Sequence, residues 1–198
     1  RNRPHPDFDG TEVVHVSVSA DDNEFAVLAN RMEVDPSAIP GPELIADYFR
    51  NTVRNRLDRY RTVFDLATDP DRHPLLFNCT AGKDRTGFVA GSLLRLLGVP
   101  EEVVITDYLL SNDVRRKWIQ QREDQHRQLI ADRLHVAPDE VGDEHMVNTR
   151  AILWCKAAYL AASFDTVEEF WGTWETFRRD GLGLDDTRMD AFHDAMLA

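Results

Sequence analysis

The chain has 198 residues, 42% of them hydrophobic, enough to bury one good core, and nothing in it argues for a second domain. A formal net charge of −12 excludes a general binder of nucleic acid or anionic membrane, because both demand a basic surface. Cys79 and Cys155 lie far apart in unlike surroundings, so a disulfide framework is not expected and a reducing compartment, the cytoplasm, fits best; export without a visible signal peptide is the alternative, and no apolar run is long enough for stable membrane insertion.

Residues 1–10 read as an entering loop. Residues 11–18 alternate, with Val14, Val16 and Val18 on one side and His15 and Ser17 on the other, which predicts a strand in which His15 is a structural histidine. Residues 21–32 are weakly helical, and 35–42 form a proline-rich connector. From Glu43 to Leu66 apolar residues recur at three- and four-residue spacing, which predicts a helix. Its other face carries Arg50, Arg54, Arg56, Arg59 and Arg61, read as a solvated row. Prolines break the helix over 68–74, and 75–77 reads as a buried strand.

After a turn, 88–97 predicts an apolar helix ended by Gly98, with Pro100 beyond. Two helices follow, over 101–110 and 113–134; the second is highly charged, with a thin stripe of Val114, Trp118, Leu129, Ile130 and Leu134. Residues 135–146 are an acidic loop. Residues 147–164 read as a core helix in which Cys155 is filler. Asp165 and Thr166 are expected to cap the next helix, and Asp185 the final one. The sum predicts an α/β fold, a small central sheet flanked by helices, with a helical C-terminal half.

The stretch 75–87 concentrates the chemistry. A short apolar run ends at Asn78, Cys79 follows, and Arg85 stands six positions later, where a helix begins. A glycine-containing turn feeding a helix N-terminus gathers unpaired backbone N–H groups and the positive end of the helix dipole, which suits a phosphate group. Thr80, Ala81, Gly82, Lys83, Asp84 and Arg85 would form the cradle. Arg85 offers a planar fork for two phosphate oxygens. The same field favours the Cys79 thiolate, a nucleophile towards phosphorus. Asp84 is a carboxyl group able to protonate the leaving oxygen and later to activate water. Thr86 can offer its hydroxyl to the thiolate, and Lys83 a movable charge at the mouth. A nucleotide-binding Walker loop is disfavoured, since Asp84 rather than Ser or Thr follows Lys83. No metal is expected, because the histidines are scattered, and no cofactor is called for.

The run from Cys79 to Gly87 resembles the signature of cysteine-dependent protein tyrosine phosphatases, and more narrowly the bacterial tyrosine/serine phosphatase branch. The likeness continues in Leu96-Leu97-Gly98-Val99-Pro100, in Asp107-Tyr108-Leu109-Leu110-Ser111-Asn112 and in Gly181-Leu182-Gly183-Leu184. The resemblance implies Cys79 as nucleophile, Arg85 as phosphate clamp, the backbone of residues 80–85 as cradle and Asp84 as in-loop general acid. It also links Lys83 to phosphoinositide activity. It implies a single phosphatase domain over 1–198, with a helical lid over 113–134 corresponding to a mobile region in a mycobacterial member. Two departures stand out. Asn78 occupies the place of a usual histidine, so a less acidic thiol is expected. The family's N-terminal strands and an Asp-Leu-Arg segment have no counterpart, so an acid from such a segment could share the role of Asp84.

The substrate implied is a phosphotyrosine protein, with phosphoserine, phosphothreonine or phosphoinositide esters as further candidates. A small phosphorylated metabolite is the alternative substrate. A weakly active, phosphate-binding pseudophosphatase is the alternative outside catalysis, motivated by Asn78.

Overall fold

Apolar spacing builds the first part of the chain into two consecutive helices, α1 (Gly41–Asn55) and α2 (Leu57–Ala67), where the sequence reads as one. Arg56, with φ −137°, makes the break. The computed structural model describes residues 10–19 and 41–197. The weak helix over 21–32 and most of the two connectors at 1–10 and 35–42 lie outside those residues.

The next helix, α3 (Asp84–Leu96), starts inside the key turn and ends as expected before Gly98, whose φ of +82° is a left-handed conformation that glycine adopts without strain. Then comes α4 (Glu101–Leu134), one 34-residue helix where two were expected. Neither glycine nor proline interrupts it, and Asn112 does not break it because its side chain is used elsewhere: its amide clamps the Cys155 backbone, accepting at 2.8 Å and donating at 2.9 Å. Much of its expected apolar stripe stays outside, with Val114 88% exposed. Ile119 and Ala131 are its fully buried points in the charged half.

The expected core helix over 147–164 is divided into α5 (Asp143–Leu153) and α6 (Ala157–Trp171) by extended backbone at Trp154 and Lys156. Asp165 and Thr166 therefore lie inside α6 and cap nothing; Thr166 Oγ1 donates to the Ala162 carbonyl at 2.7 Å. A single helical turn (Trp174–Thr176) runs into a π-helical turn (Phe177–Leu182), and α7 (Asp186–Leu197) closes the chain. Asp185 caps it as read, accepting from the Arg188 amide at 2.8 Å.

The core sits where α1 lies along α6, with α3 and α4 closing over it. Ile45, Phe49 and Val53 form a four-residue-spaced ridge that is at most 1% exposed, and Phe49 stacks on Tyr159 of α6 at 6.3 Å. Phe88 of α3 meets Tyr60 and Phe64 of α2 edge-on, at 5.2 and 6.2 Å. Gly91 lets α3 approach closely, since a Cβ there would stand 3.1 Å from Leu160 and 3.3 Å from Val104. Cys155 is 4% exposed within this core, as its filler reading expects.

The α/β expectation is overturned: the described residues contain helices and turns but no strand and no sheet. The runs over 11–18 and 75–77 are free of helix, yet neither pairs with another strand. Alternation reports that successive side chains face opposite ways; a ladder also needs a partner's N–H and C=O groups, and among the described residues no strand supplies them. Leu75 and Phe77 turn partly onto the core while Leu76 is 94% exposed, so the expected buried strand is an open, one-sided run. Residues 11–15 are exposed, His15 with them, so it is not the buried structural histidine expected.

Candidate active site

The turn leaves the extended run at Cys79, passes through Gly82 in a left-handed conformation (φ +63°) and enters α3 at Asp84. A glycine is required at that φ, since an L side chain there is strained. The Gly87 amide bonds back to the Lys83 carbonyl at 2.7 Å, so the amides of Asp84, Arg85 and Thr86 precede the helical ladder and are free to face the turn. No side chain caps this helix start, which leaves the dipole end open to an anion.

Cys79 is half-buried where these groups converge. Burial alone would raise its thiol, but hydrogen bonds from the Thr86 hydroxyl and amide and from the Ala81 amide, together with the Arg85 charge, outweigh it and hold the pKa below the ordinary thiol value. The Thr86 hydroxyl is buried and finds no other partner among the described residues, which leaves its proton for a charged sulfur. Arg85 spreads its fork over two hydroxyls: Nη1 donates to Ser19 Oγ at 2.9 Å and Nη2 to Thr80 Oγ1 at 3.0 Å.

Lys83 and Asp84 turn the other way. Lys83, read as a movable charge at the mouth, is 2% exposed, and its Nζ donates to Asp84 Oδ1 at 2.6 Å. Behind the pair lie Tyr108, Tyr159 and Cys155. Burial pushes all three of these groups up, and the Asp84 charge adds to the effect. Tyr108 is seated by Gly87: a Cβ at that position would lie 2.7 Å from the Tyr108 ring. Asn78 is exposed, on the same side of the run as Leu76.

Cys79, Thr80, Ala81, Arg85 and Thr86 are thus brought together, while Lys83 and Asp84 are paired inward beside them. Several residues near the turn escaped the sequence reading. Ser19 reaches Arg85 from the segment before the helices, and its carbonyl accepts from Arg59 Nη1. The Arg56 guanidinium lies 5.4 Å from the centre of the Tyr48 ring, and burial raises the Tyr48 phenol while the Arg85 charge works against that rise. The arginine row is therefore not simply solvated; Arg54 pairs with Glu169 at 2.8 Å and Arg61 holds the Gly181 carbonyl at 2.8 Å. No sequence signal marks Ser19, the second of two serines at the end of an alternating run.

Among the described residues no group of His, Cys, Asp and Glu side chains is gathered for a metal ion, and no helix is long and apolar enough to cross a membrane. A cavity of about 560 Å³ is lined by residues of α2, α7 and their flanking turns, including Asp65, Asp69 and Arg188, and by none of the turn's residues. Arg188 bonds the Asp65 and Asp69 carboxylates there, each at 3.2 Å, and with Asp71 and Asp185 also in its lining that cavity is acidic, unlike a phosphate site.

Comparison with known proteins finds relatives among bacterial tyrosine phosphatases. A candidate tyrosine-protein phosphatase of Cupriavidus necator is 37% identical over 132 residues, covering 64% of this chain and 42% of the relative. The triple specificity protein phosphatase PtpB of Mycobacterium tuberculosis is 31% identical over 155 residues, 76% of this chain and 53% of its own length. A tyrosine-protein phosphatase of Nostoc commune is 31% identical over 81 residues, 41% of this chain and 28% of the relative. The chain thus spans about half the length, or less, of the curated relatives it matches. With a cysteine and an arginine brought together at a helix N-terminus and a family profile that matches residues 1–198, the chain belongs to the tyrosine phosphatase family, whose members hydrolyse phosphoric monoesters.

Proposed function

We propose that the protein hydrolyses phosphoric monoesters through a cysteinyl-phosphate intermediate on Cys79, with phosphotyrosine in proteins as the leading substrate and without a metal. The observation that carries this is geometric: Cys79 lies half-buried in a turn whose helix, α3, starts without a side-chain cap and carries the Arg85 fork in its first turn. The phosphate sits in the cradle of residues 80–85, clamped by Arg85 in a single domain. The thiolate forms an S–P bond while the P–O bond to the leaving group breaks, and the leaving oxygen takes a proton from Asp84. Water then attacks phosphorus, gives its proton to Asp84, and the S–P bond breaks to restore the thiolate, which Thr86 receives.

Asp84 begins in a buried ion pair with Lys83, a carboxylate in the form that serves the second step. For the first step it takes up a proton from solvent as Lys83 leaves the pair and turns to the substrate's charge; the proton it later receives from the attacking water readies it for the next cycle. That pairing also supports a second reading, a protein that binds phosphate esters with little turnover, because the acid is engaged elsewhere. Phosphoserine, phosphothreonine and phosphoinositide esters are further substrates to test, prompted in part by the triple specificity named for the mycobacterial relative.

The test is vanadate-sensitive phosphate release from para-nitrophenyl phosphate, a phosphotyrosine peptide and a phosphoinositide panel, in chelator, with Cys79→Ser as control. Release from the peptide that vanishes in Cys79→Ser is the expected result. Release that survives Cys79→Ser or requires metal would overturn the mechanism. Tight peptide binding with no release would favour the second reading.

A further inference from the structure

We propose that Ser19 is a positioning residue for the anion clamp, holding Arg85 in its working orientation, with Arg59 as the anchor that holds Ser19. The inference rests on Arg85 being the clamp. The Arg85 fork makes two side-chain hydrogen bonds, and both acceptors are hydroxyls. One, Thr80, belongs to the turn and moves with it. The other, Ser19, comes from 66 residues earlier in the chain and is an independent fixture.

Ser19 is itself fixed. Arg59 Nη1 of α2 donates to its carbonyl, so the backbone that carries the hydroxyl is tied to a helix of the core. The segment before it makes little use of apolar burial, since Val13 and Val14 are 55% and 50% exposed. Its placement comes from Glu12 pairing with Arg72, from Val18 against the core, and from the two arginines that grip Ser19.

The chemistry favours a hydroxyl at this point. A carboxylate on the fork would neutralise the charge that has to meet phosphate, whereas a hydroxyl accepts one N–H and leaves the full positive charge on the guanidinium. Among the described residues no carboxylate forms an ion pair with Arg85. Without Ser19 the fork keeps the Thr80 contact alone and samples more orientations. Anion affinity then falls, while the thiol and the leaving-group chemistry on the other side of the turn remain in place.

Titration with tungstate, a tetrahedral dianion that is bound but not hydrolysed, tests this in the full chain with Cys79 intact. Ser19→Ala should weaken tungstate binding about tenfold, the scale of one hydrogen bond to a charged group. Ser19→Thr should restore it to within about twofold, because the acceptor returns. In turnover assays the loss should fall mainly on KM rather than kcat, with the melting temperature unchanged. Ser17→Ala, an exposed neighbour on the same segment, is the control expected to match wild type. Arg59→Ala should weaken binding as well, and the double variant should be no worse than the weaker single variant, because both act through one contact. Wild-type affinity in Ser19→Ala, failure of Ser19→Thr to restore it, or losses that add in the double variant would each overturn the proposal. If wild type binds tungstate yet releases no phosphate from any ester, catalysis is refuted and the role of Ser19 stands. If wild type binds no tungstate, both fall.

Discussion

On the helical side of the turn, Phe88 is wedged edge-on against Tyr60 and Phe64 and the Tyr108 ring rests on Gly87; on the approach side, residues 75–79 run extended with Leu76 94% exposed. The two sides meet at the candidate site but are held by different forces. Arg85 and Thr86 are mounted on a helix whose position the core dictates. Cys79 stands just before that helix, half-buried, at the end of the extended run. The division suits a phosphate site, because the groups that must stay fixed to receive an anion are those on the packed element. The thiol takes its reactivity from them.

Damage to the packed side should therefore be the most severe. Phe88→Ala removes a ring that is 1% exposed and touches two other aromatic rings. It should lower unfolding free energy by about 3–5 kcal/mol, read by urea denaturation, and carry activity down with it. Next in size is Arg85→Lys. Lysine cannot make the two-pronged contact that Arg85 offers through both terminal nitrogens. Phosphate release should fall about 10²- to 10³-fold with the denaturation midpoint unchanged. If Arg85→Lys destabilised the fold as much as Phe88→Ala, the separation between packed scaffold and reacting groups would be wrong.

How far the sequence revealed the molecule follows the same line. The Cys79 to Thr86 turn was legible because its chemistry is local: eight consecutive residues, one glycine among them, and a helix start bring the groups together whatever lies around them. The caps at Gly98 and Asp185 were legible for the same reason. That the described residues hold no sheet was not legible, because alternation over 11–18 and 75–77 describes a run's own side chains and says nothing of a partner. The continuous α4 was expected as two helices, over 101–110 and 113–134; only the fold shows the Asn112 amide, at the join, clamping the Cys155 backbone 43 residues away. Lys83 next to Asp84 reads as a charge for substrate, and only the fold shows both turned into the protein at 2.6 Å. Ser19 is the extreme case, since its part depends wholly on two arginines from other elements.

The link between the two sides is breakable by itself. Thr86→Ala removes the hydroxyl that favours the Cys79 thiolate while leaving the Thr86 and Ala81 amides and the Arg85 charge in place. The thiol pKa should rise, so the acidic limb of the kcat/KM profile moves to higher pH. The sign is fixed by the reactive form: less thiolate exists at any pH below the new value. Alkylation of Cys79 by iodoacetamide at pH 6 should slow about tenfold. An unmoved limb would mean that the amides and Arg85 set the thiol without the hydroxyl.

The smallest effect is expected at the residue most out of keeping with the core. Leu76 sits between Leu75 and Phe77, both partly packed on the core, yet is itself 94% exposed. Leu76→Ser removes almost no buried surface, so the unfolding free energy should change by no more than about 0.5 kcal/mol. Leu75→Ser, one position away and turned inward, should cost clearly more, since it takes a partly buried apolar side chain off the core. The pair measures directly whether this run is open on one face. Equal losses at the two positions would mean that Leu76 is covered in solution, and that the approach to Cys79 is packed on both faces.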